Sequence, residues 1–185
     1  GYSYADIADC GFSLNCCTKG DLTVAKKYLE SLANVLEEKI NFGYPKESTL
    51  EEVLEKIKSL PVSDKPILLI EPADNIGGGT PGDATDLLSR LLQTDEEGIV
   101  AIINDPDTVR ICHQSSVGNE IELNVGAKFD KFHGAPIKLK AIIQKLSDGK
   151  FTLKNKQSHL ASMMGINIDM GLSAVVKNKQ LTLLL

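Results

Sequence analysis

The sequence predicts a mixed α/β (α+β) fold, in which a parallel strand–helix–strand core with flanking helices is followed by a mainly antiparallel β region. Two short apolar runs without alternation, Pro66–Ile70 and Ile99–Ile103, are typical of strands that are covered on both faces. A leucine-rich helical segment over residues 84–94 separates them. After Val117 apolar and polar residues alternate, which indicates strands with one solvated face.

The elements before this core are predicted from periodicity and capping residues. An apolar run over Gly11–Thr18 is interpreted as a strand, and Asp21 is a suitable N-cap for the long helix that follows. Apolar residues then recur every three or four positions up to Ile40, as on one face of a helix. Ser48 and Glu51 match a capping box, which predicts the start of a second helix.

The second half is predicted to contain one short helix and several strands. Asp105 or a neighbour is expected to cap the helix, with Pro106 in its first turn. Strands are predicted in the segments NEIELNVGAKF, APIKLKAIIQKL, KFTLKN, INIDMG, LSAVVKN and KQLTLLL. We therefore assign residues 1–117 to an α/β core and residues 118–185 to a β-rich part, and we expect both to belong to one domain.

Composition excludes several classes of function. The chain has 185 residues, of which 42% are hydrophobic, and a net charge of −5. A mildly acidic chain with few aromatic residues lacks the basic face and the stacking platform that nucleic acids require, so no nucleic-acid partner is expected. No apolar run approaches the length of a membrane-spanning helix, and the first residues lack the pattern of a signal peptide.

The four cysteines are interpreted as free thiols in a reducing compartment, which predicts a cytoplasmic protein. They are Cys10, Cys16, Cys17 and Cys112, and none forms a C-x-x-C pair. A zinc site made by Cys16 or Cys17 with Cys112 and His113 is an alternative without a spacing signature.

The segment EPADNIGGGTPGDAT carries the strongest candidate site. It lacks the lysine of a P-loop, and although Gly77, Gly79 and Gly82 fit G-x-G-x-x-G, the acid expected further along the chain has no counterpart. Thr80 is interpreted as a helix N-cap and Asp83 as its capping-box acid, with Pro81 in the first turn between them.

Two interpretations of this glycine-rich loop stay open. The glycines let the backbone approach a ligand and direct N–H groups at it, and Asp74 and Asn75 lie at the carboxyl end of a predicted parallel strand, where open α/β sheets bind ligands. Alternatively, the loop is only a tight connection between a strand and a helix. The cost of ordering Gly77, Gly78 and Gly79 favours binding.

No catalytic or metal-binding constellation is recognisable among the histidines. His113 lies in the short helix and His159 in a polar linker, and neither has a partner at the spacing of a metal site. His133 is the best candidate for a cleft residue, because Gly134, Ala135 and Pro136 constrain the turn that follows it.

The segment ADNIGGGTPGDAT resembles the signature of the MlrC family of microcystinase-type zinc metallopeptidases, in their C-terminal domain. GYSYADIADCGFSLNCCTKGD, IINDPDTV, VGNEIELNVGAKFDKFHGAPIKLKAIIQKLSDGKF and MGLSAVVK are similar to further segments of that domain, in the same order. The resemblance implies that the zinc ligands and the catalytic acid lie in an N-terminal domain outside this chain, and that a C-terminal tail is also missing.

The resemblance also implies roles for the loop. Asn75, Gly77, Gly78, Gly79 and Thr80 are expected to face the zinc site of the N-terminal domain and a small peptide or amide substrate, while Asp74, Gly82 and Asp83 order the loop.

The leading hypothesis is therefore an accessory domain of a zinc-dependent peptidase, inactive alone and without a cofactor of its own. The alternatives are a free-standing anion- or nucleotide-binding module and a structural scaffold.

Overall fold

The computed structural model describes residues 13–43, 46–61 and 65–185. The described residues fall into two compact units, with the division between Leu68 and Leu69. The strand predicted over Gly11–Thr18 is wrong for residues 13–18, which have no regular structure, while its first two residues and Cys10 lie outside the described residues. An apolar run forms a strand only where a partner strand takes its backbone hydrogen bonds.

The first unit contains two helices. Helix α1 spans Leu22–Lys39 and continues into a 3₁₀ turn at Ile40–Gly43. Asp21 is its N-cap, as predicted, and accepts a hydrogen bond of 2.7 Å from the Thr23 N–H group. Helix α2 spans Leu50–Ser59.

The capping box of α2 lies one residue later than predicted. Thr49 N donates to Glu52 Oε2 at 2.9 Å, and Glu52 N donates to Thr49 Oγ1 at 3.2 Å. Ser48 and Glu51 share the same spacing in the sequence, so the pattern alone did not fix the register.

We expect Thr49→Ala to destabilise α2 by about 1 kcal/mol, because it removes the side-chain acceptor of this box. Amide hydrogen exchange over residues 50–59 should become roughly fivefold faster in the variant, since about 1.4 kcal/mol corresponds to a factor of ten. Ser48→Ala is the matched control and should leave the exchange rates unchanged. An equal effect of the two substitutions would show that the box does not act as described.

The second unit contains three helices and seven strands. Its helices are α3 (Asp86–Leu91), α4 (Pro106–His113) and α5 (His159–Met164). The strands are β1 (Ile99–Ile102), β2 (Glu120–Val125), β3 (Ile137–Ser147), β4 (Lys150–Thr152), β5 (Asn167–Asp169), β6 (Ser173–Lys177) and β7 (Leu181–Leu184). A separate 3₁₀ turn covers Ile76–Gly78 in the glycine-rich loop.

Five strands form one mixed sheet in the order β1-β7-β6-β3-β2. The β1–β7 pair is parallel and the other three pairs are antiparallel, while β4 and β5 form a separate antiparallel hairpin. The mixed α/β class is confirmed, and so are the antiparallel strands of the second half. Since β1 pairs with β7, the segments on both sides of residue 118 contribute to one sheet.

The strand predicted over Pro66–Ile70 is wrong, because this segment is irregular and no strand–helix–strand unit forms with β1. The parallel partner of β1 is instead β7, from the other end of the chain. Within the second unit, β1 is an edge strand with Val100 and Ile102 exposed, so its apolar run is covered on one face only.

The core of the second unit lies on one face of the sheet, beneath α4. Every second residue of the central strands points into it, and Val109 and Cys112 of α4 pack against them. The fully buried large side chains include Ile143, Leu181 and Leu183. Among the described helices, none is both long enough and apolar enough to span a bilayer.

Candidate functional site

The glycine-rich loop is closed by hydrogen bonds between its own atoms. Asn75 Oδ1 accepts from Gly77 N at 3.0 Å, Asn75 O accepts from Gly78 N at 2.7 Å, and Ile76 O accepts from Gly79 N at 3.0 Å. Gly79 has a φ of 93°, in the left-handed region that ends this single turn. The loop is therefore a tight turn in which each of the three glycine N–H groups already has an acceptor.

The glycine N–H groups, which were expected to be directed at a ligand, have acceptors within the loop itself. A ligand would have to compete with Asn75 and Ile76 for these donors, and an amide that is already satisfied gains little from a new acceptor. The parallel strand that was to place Asp74 and Asn75 at its carboxyl end is also missing. The binding roles of Asn75, the three glycines and Thr80 stay predictions.

The helix start predicted at Thr80 is wrong. Helix α3 begins at Asp86, after Thr85, and Thr80, Pro81 and Asp83 precede it in irregular backbone. Asp83 is only 1% exposed and makes long-range contacts instead of capping. A capping-box pattern is defined by local spacing, so it does not reveal that distant groups compete for the same carboxylate.

Asp74 and Asp83 connect the glycine-rich loop to its surroundings. Asp74 accepts from Gly82 N at 2.9 Å through Oδ1 and from Ala84 N at 2.7 Å through Oδ2, so it bridges the two ends of the loop. Asp83 Oδ2 accepts from the N–H groups of Lys128 at 2.6 Å and Phe129 at 3.1 Å. Two buried oxygens of this segment, Asp83 Oδ1 and Thr80 Oγ1, have no hydrogen-bond partner among the described residues.

A second loop, residues 126–135, docks against the segment that leads into α3. Ala127 N donates to Asp83 O at 2.7 Å, Thr85 N donates to His133 O at 2.9 Å, and Thr85 Oγ1 donates to Ala135 O at 2.7 Å. Ala127 adopts a left-handed φ of 47°, which costs a non-glycine residue about 1–2 kcal/mol. The two loops are thus held together at several points, and the strained residue lies at one of them.

An ion pair between Lys128 and the buried carboxylate of Asp105 fixes the start of this second loop. Lys128 Nζ lies 2.8 and 2.7 Å from the two Asp105 oxygens and 2.7 Å from Thr108 Oγ1, and Gly126 N donates to Asp105 Oδ2 at 2.9 Å. Asp105 is also the N-cap of α4, because Thr108 N donates to Oδ1 at 3.0 Å, and Pro106 occupies the first turn as predicted.

These contacts shift the pKa of Asp105. Desolvation raises it, but the hydrogen bonds from Lys128, Gly126 and Thr108 outweigh burial and hold the pKa below its usual value. The role of Lys128 was missed from the sequence, where it lies inside the predicted strand segment NEIELNVGAKF as an ordinary polar residue. The one sequence signal for this role of Lys128 was Asp105, an acid after another predicted strand, because such an acid needs a basic partner when it is buried.

His133 forms a close pair with Asp130 in the same loop. Its Nδ1 atom lies 2.9 and 2.8 Å from the two Asp130 oxygens, and the side chains are 16% and 25% exposed. Desolvation lowers the pKa of His133, but the hydrogen bond to Asp130 and the charges of Asp130, Asp74 and Asp83 outweigh it, so the pKa lies above its usual value. The charges of Asp74 and Asp83 thus act on the His133 ring, and the backbone of His133 is bonded to Thr85 at the end of the glycine-rich segment.

The other histidines and cysteines are dispersed. His113 Nε2 lies 3.1 Å from Ser173 O, and His159 is the first residue of α5 rather than part of a linker. Burial and the charge of Asp105 raise the pKa of the Cys112 thiol, while Cys16 and Cys17 are exposed.

No group of three or more metal-ligating residues that could hold a metal ion occurs among the residues that the structure describes. The alternative zinc site of Cys16 or Cys17 with Cys112 and His113 would join the two units, and it stays a prediction.

Both loops lie in the part of the chain that matches a known family. A family model described as MlrC C-terminus matches residues 69–185, which are the whole second unit. This chain belongs to the MlrC C-terminal family. The resemblance based on the glycine-rich segment is confirmed, and the MlrC match includes the strands of the sheet, the ion pair and the Asp130–His133 pair.

Two relatives of the MlrC domain show how much of a larger protein it corresponds to. The chain is 30% identical over 84 residues to microcystinase C of a Sphingomonas species, a match that covers 45% of this chain and 17% of that protein.

The fold is similar to the crystal structure of a protein from Mesorhizobium sp. BNC1 described as a "putative metallopeptidase", with a TM-score of 0.65 and 22% identity. That match covers 83% of this chain and 30% of the other. The MlrC domain thus spans less than a third of either relative.

Proposed function

We propose that this chain is the C-terminal accessory domain of a zinc-dependent peptidase or amide hydrolase, inactive alone, and that its glycine-rich loop shapes one wall of the substrate cleft. The observation that carries the proposal is the family match over residues 69–185, which contain both loops. Because the chain corresponds to less than a third of its relatives, the metal site and its chemistry are assigned to another domain. The partners proposed are that domain and a small peptide substrate.

The contacts between the loops favour a positioning role for the glycine-rich loop. Asp74 bridges its ends and Asp83 ties it to residues 128 and 129, so it is held in one shape. A rigid surface can place a substrate to within a fraction of an ångström, and small misplacements reduce rates strongly. The internally satisfied glycine N–H groups and the acids Asp74, Asp83 and Asp130 give no support to the alternative of an anion- or nucleotide-binding module.

A bulky residue at Gly78 tests the proposal. A Cβ atom at this position meets no atom within 4 Å and the backbone is not in the left-handed region, so Gly78→Leu should fold normally. In the complete protein that carries this domain, we expect kcat/KM for peptide hydrolysis to fall by about tenfold to a hundredfold, with unchanged zinc content and thermal stability.

Gly20→Leu is the matched control for this experiment, because Gly20 also has open space around its Cβ position and lies in the other unit. It should leave kcat/KM unchanged. Full activity of Gly78→Leu would refute the proposed role of the loop, and peptide hydrolysis by the isolated chain would refute its inactivity alone.

A further inference from the structure

The Asp130–His133 pair leaves one ring nitrogen of the histidine available. A carboxylate only accepts hydrogen bonds, so Nδ1, which lies within 3 Å of both Asp130 oxygens, carries a hydrogen. Nε2 has no hydrogen-bond partner within the described part of the chain. The backbone also holds this residue, since His133 O accepts from Thr85 N at 2.9 Å. The imidazole is therefore fixed in orientation, with Nε2 as its reactive atom.

The charged groups that act on this ring come from both loops. Asp130 lies in the same loop, and Asp74 and Asp83 flank the glycine-rich segment. All three carboxylates favour the protonated imidazole, and their influence exceeds that of burial. They also disfavour a substrate carboxylate at this position and favour a group that becomes positively charged. An amine released from an amide is such a group.

We propose that His133, oriented by Asp130, is a catalytic proton donor in the hydrolase, and that its Nε2–H group protonates the leaving amine of a peptide or amide held against the glycine-rich loop. The inference rests on the function proposed above. It adds a residue that takes part in the chemistry to a domain that lacks a metal site, and it assigns the amine side of the scissile bond to this domain.

The proton transfer balances with no further reactant than water. When the tetrahedral adduct of water and the amide carbon collapses, the C–N bond breaks and its electron pair stays on nitrogen. The proton on His133 Nε2 moves to that nitrogen, which leaves the histidine neutral and releases an amine. Solvent then reprotonates His133, and the net products are a carboxylate and an ammonium group. General acid catalysis of this kind contributes about 10²–10⁴-fold to a rate.

His133→Gln in the complete protein tests the proposal, because glutamine keeps polar contacts but cannot donate a proton as an acid. We expect kcat for peptide hydrolysis to fall about 10²-fold, with KM and zinc content nearly unchanged. The wild-type kcat should fall as pH rises through the pKa of His133, because only the protonated ring is active, and the variant should lack this alkaline limb. His159→Gln, at an exposed position in α5, is the matched control.

An activated ester separates a chemical role from a structural one. The phenolate leaving group of a p-nitrophenyl ester needs no proton, so His133→Gln should hydrolyse such an ester nearly as fast as the wild type. Equal losses for ester and amide would overturn the proposal. Asp130→Asn should lower the pKa of His133 and shift the alkaline limb to lower pH. If His133→Gln does not fold, this shift tests the proposal instead, and an unshifted limb would contradict it. NMR titration of the ring in this chain gives the same shift without an activity measurement.

These outcomes are distinguishable from failure of the proposed function. If Gly78→Leu is impaired while His133→Gln keeps its amide hydrolysis and its alkaline limb, the accessory role stands and the proton donor is wrong. If the complete protein hydrolyses no amide or peptide bond, both proposals fail.

Discussion

Asp105→Ala is expected to lower the free energy of unfolding of the second unit by about 2–4 kcal/mol, since it removes a helix cap and leaves buried or partly buried donors without an acceptor. The Asp105 side chain is 1% exposed and receives donors from Lys128, Thr108 and Gly126. Without the Asp105 carboxylate these donors lose their acceptor, and α4 loses its N-cap. Urea denaturation followed by circular dichroism measures the change.

Asp107→Ala is the matched control, because Asp107 lies in the first turn of the same helix. Its ion pair with Arg110 is exposed on both sides, with side-chain exposures of 61% and 62%. Exposed pairs contribute about 0–1 kcal/mol, so this variant should unfold nearly like the wild type. Similar losses from the two substitutions would mean that burial of Asp105 is not the cause.

The pH dependence of stability provides a separate check on Asp105. Its pKa is lower in the folded state, so the ionised carboxylate contributes stability above its unfolded pKa of about 3.9. This contribution is lost as the pH falls through the lower, folded-state pKa. The difference in stability between the wild type and Asp105→Asn should therefore be largest near neutral pH and shrink below about pH 4.

The elements that could be predicted from the sequence are those whose evidence is local. Alternation located β2 and β3, and Asp21 and Asp105 were recognised as caps because a cap bonds to an N–H group two or three residues away. The apolar run Pro66–Ile70 looked as convincing as β1, but strand formation depends on a partner, and β1 found its parallel partner at the other end of the chain. Pairing between strands so far apart in the chain cannot be recognised from a short stretch of sequence.

In the candidate site, too, the features with local evidence could be predicted and the long-range contacts could not. The glycine-rich segment stood out by composition, and His133 was chosen as a candidate cleft residue only because of the constrained turn that follows it. The contacts that hold the site together join residues twenty to fifty positions apart, such as Lys128 with Asp105 and Thr85 with Ala135. Asp83 was assigned to a local capping box, whereas it binds the N–H groups of another loop. Only the folded chain reveals which acids are buried and which donors reach them.

Gly126→Ala should also destabilise the second unit by about 3–5 kcal/mol, because it combines backbone strain with a clash in the contact between the two loops. Gly126 has a φ of 68°, and an added Cβ would lie 2.5 Å from Thr85 Cγ2 and 2.7 Å from Asp83 O. Neither neighbour can move freely, since Thr85 is fully buried and hydrogen-bonded to Ala135, and Asp83 O belongs to the backbone.

Gly118→Ala separates the strain from the clash. Gly118 has a φ of 92°, but an added Cβ there meets nothing within 4 Å, so alanine should cost only the left-handed strain of about 1–2 kcal/mol. The difference between the two variants in urea denaturation thus measures how tightly the loops pack. Because the clash lies between the two loops, Gly126→Ala should also change the NMR signal of the His133 ring, whereas Gly118→Ala should not. Equal destabilisation by both variants would show that the loops separate at little cost, and a rigid cleft wall would then be untenable.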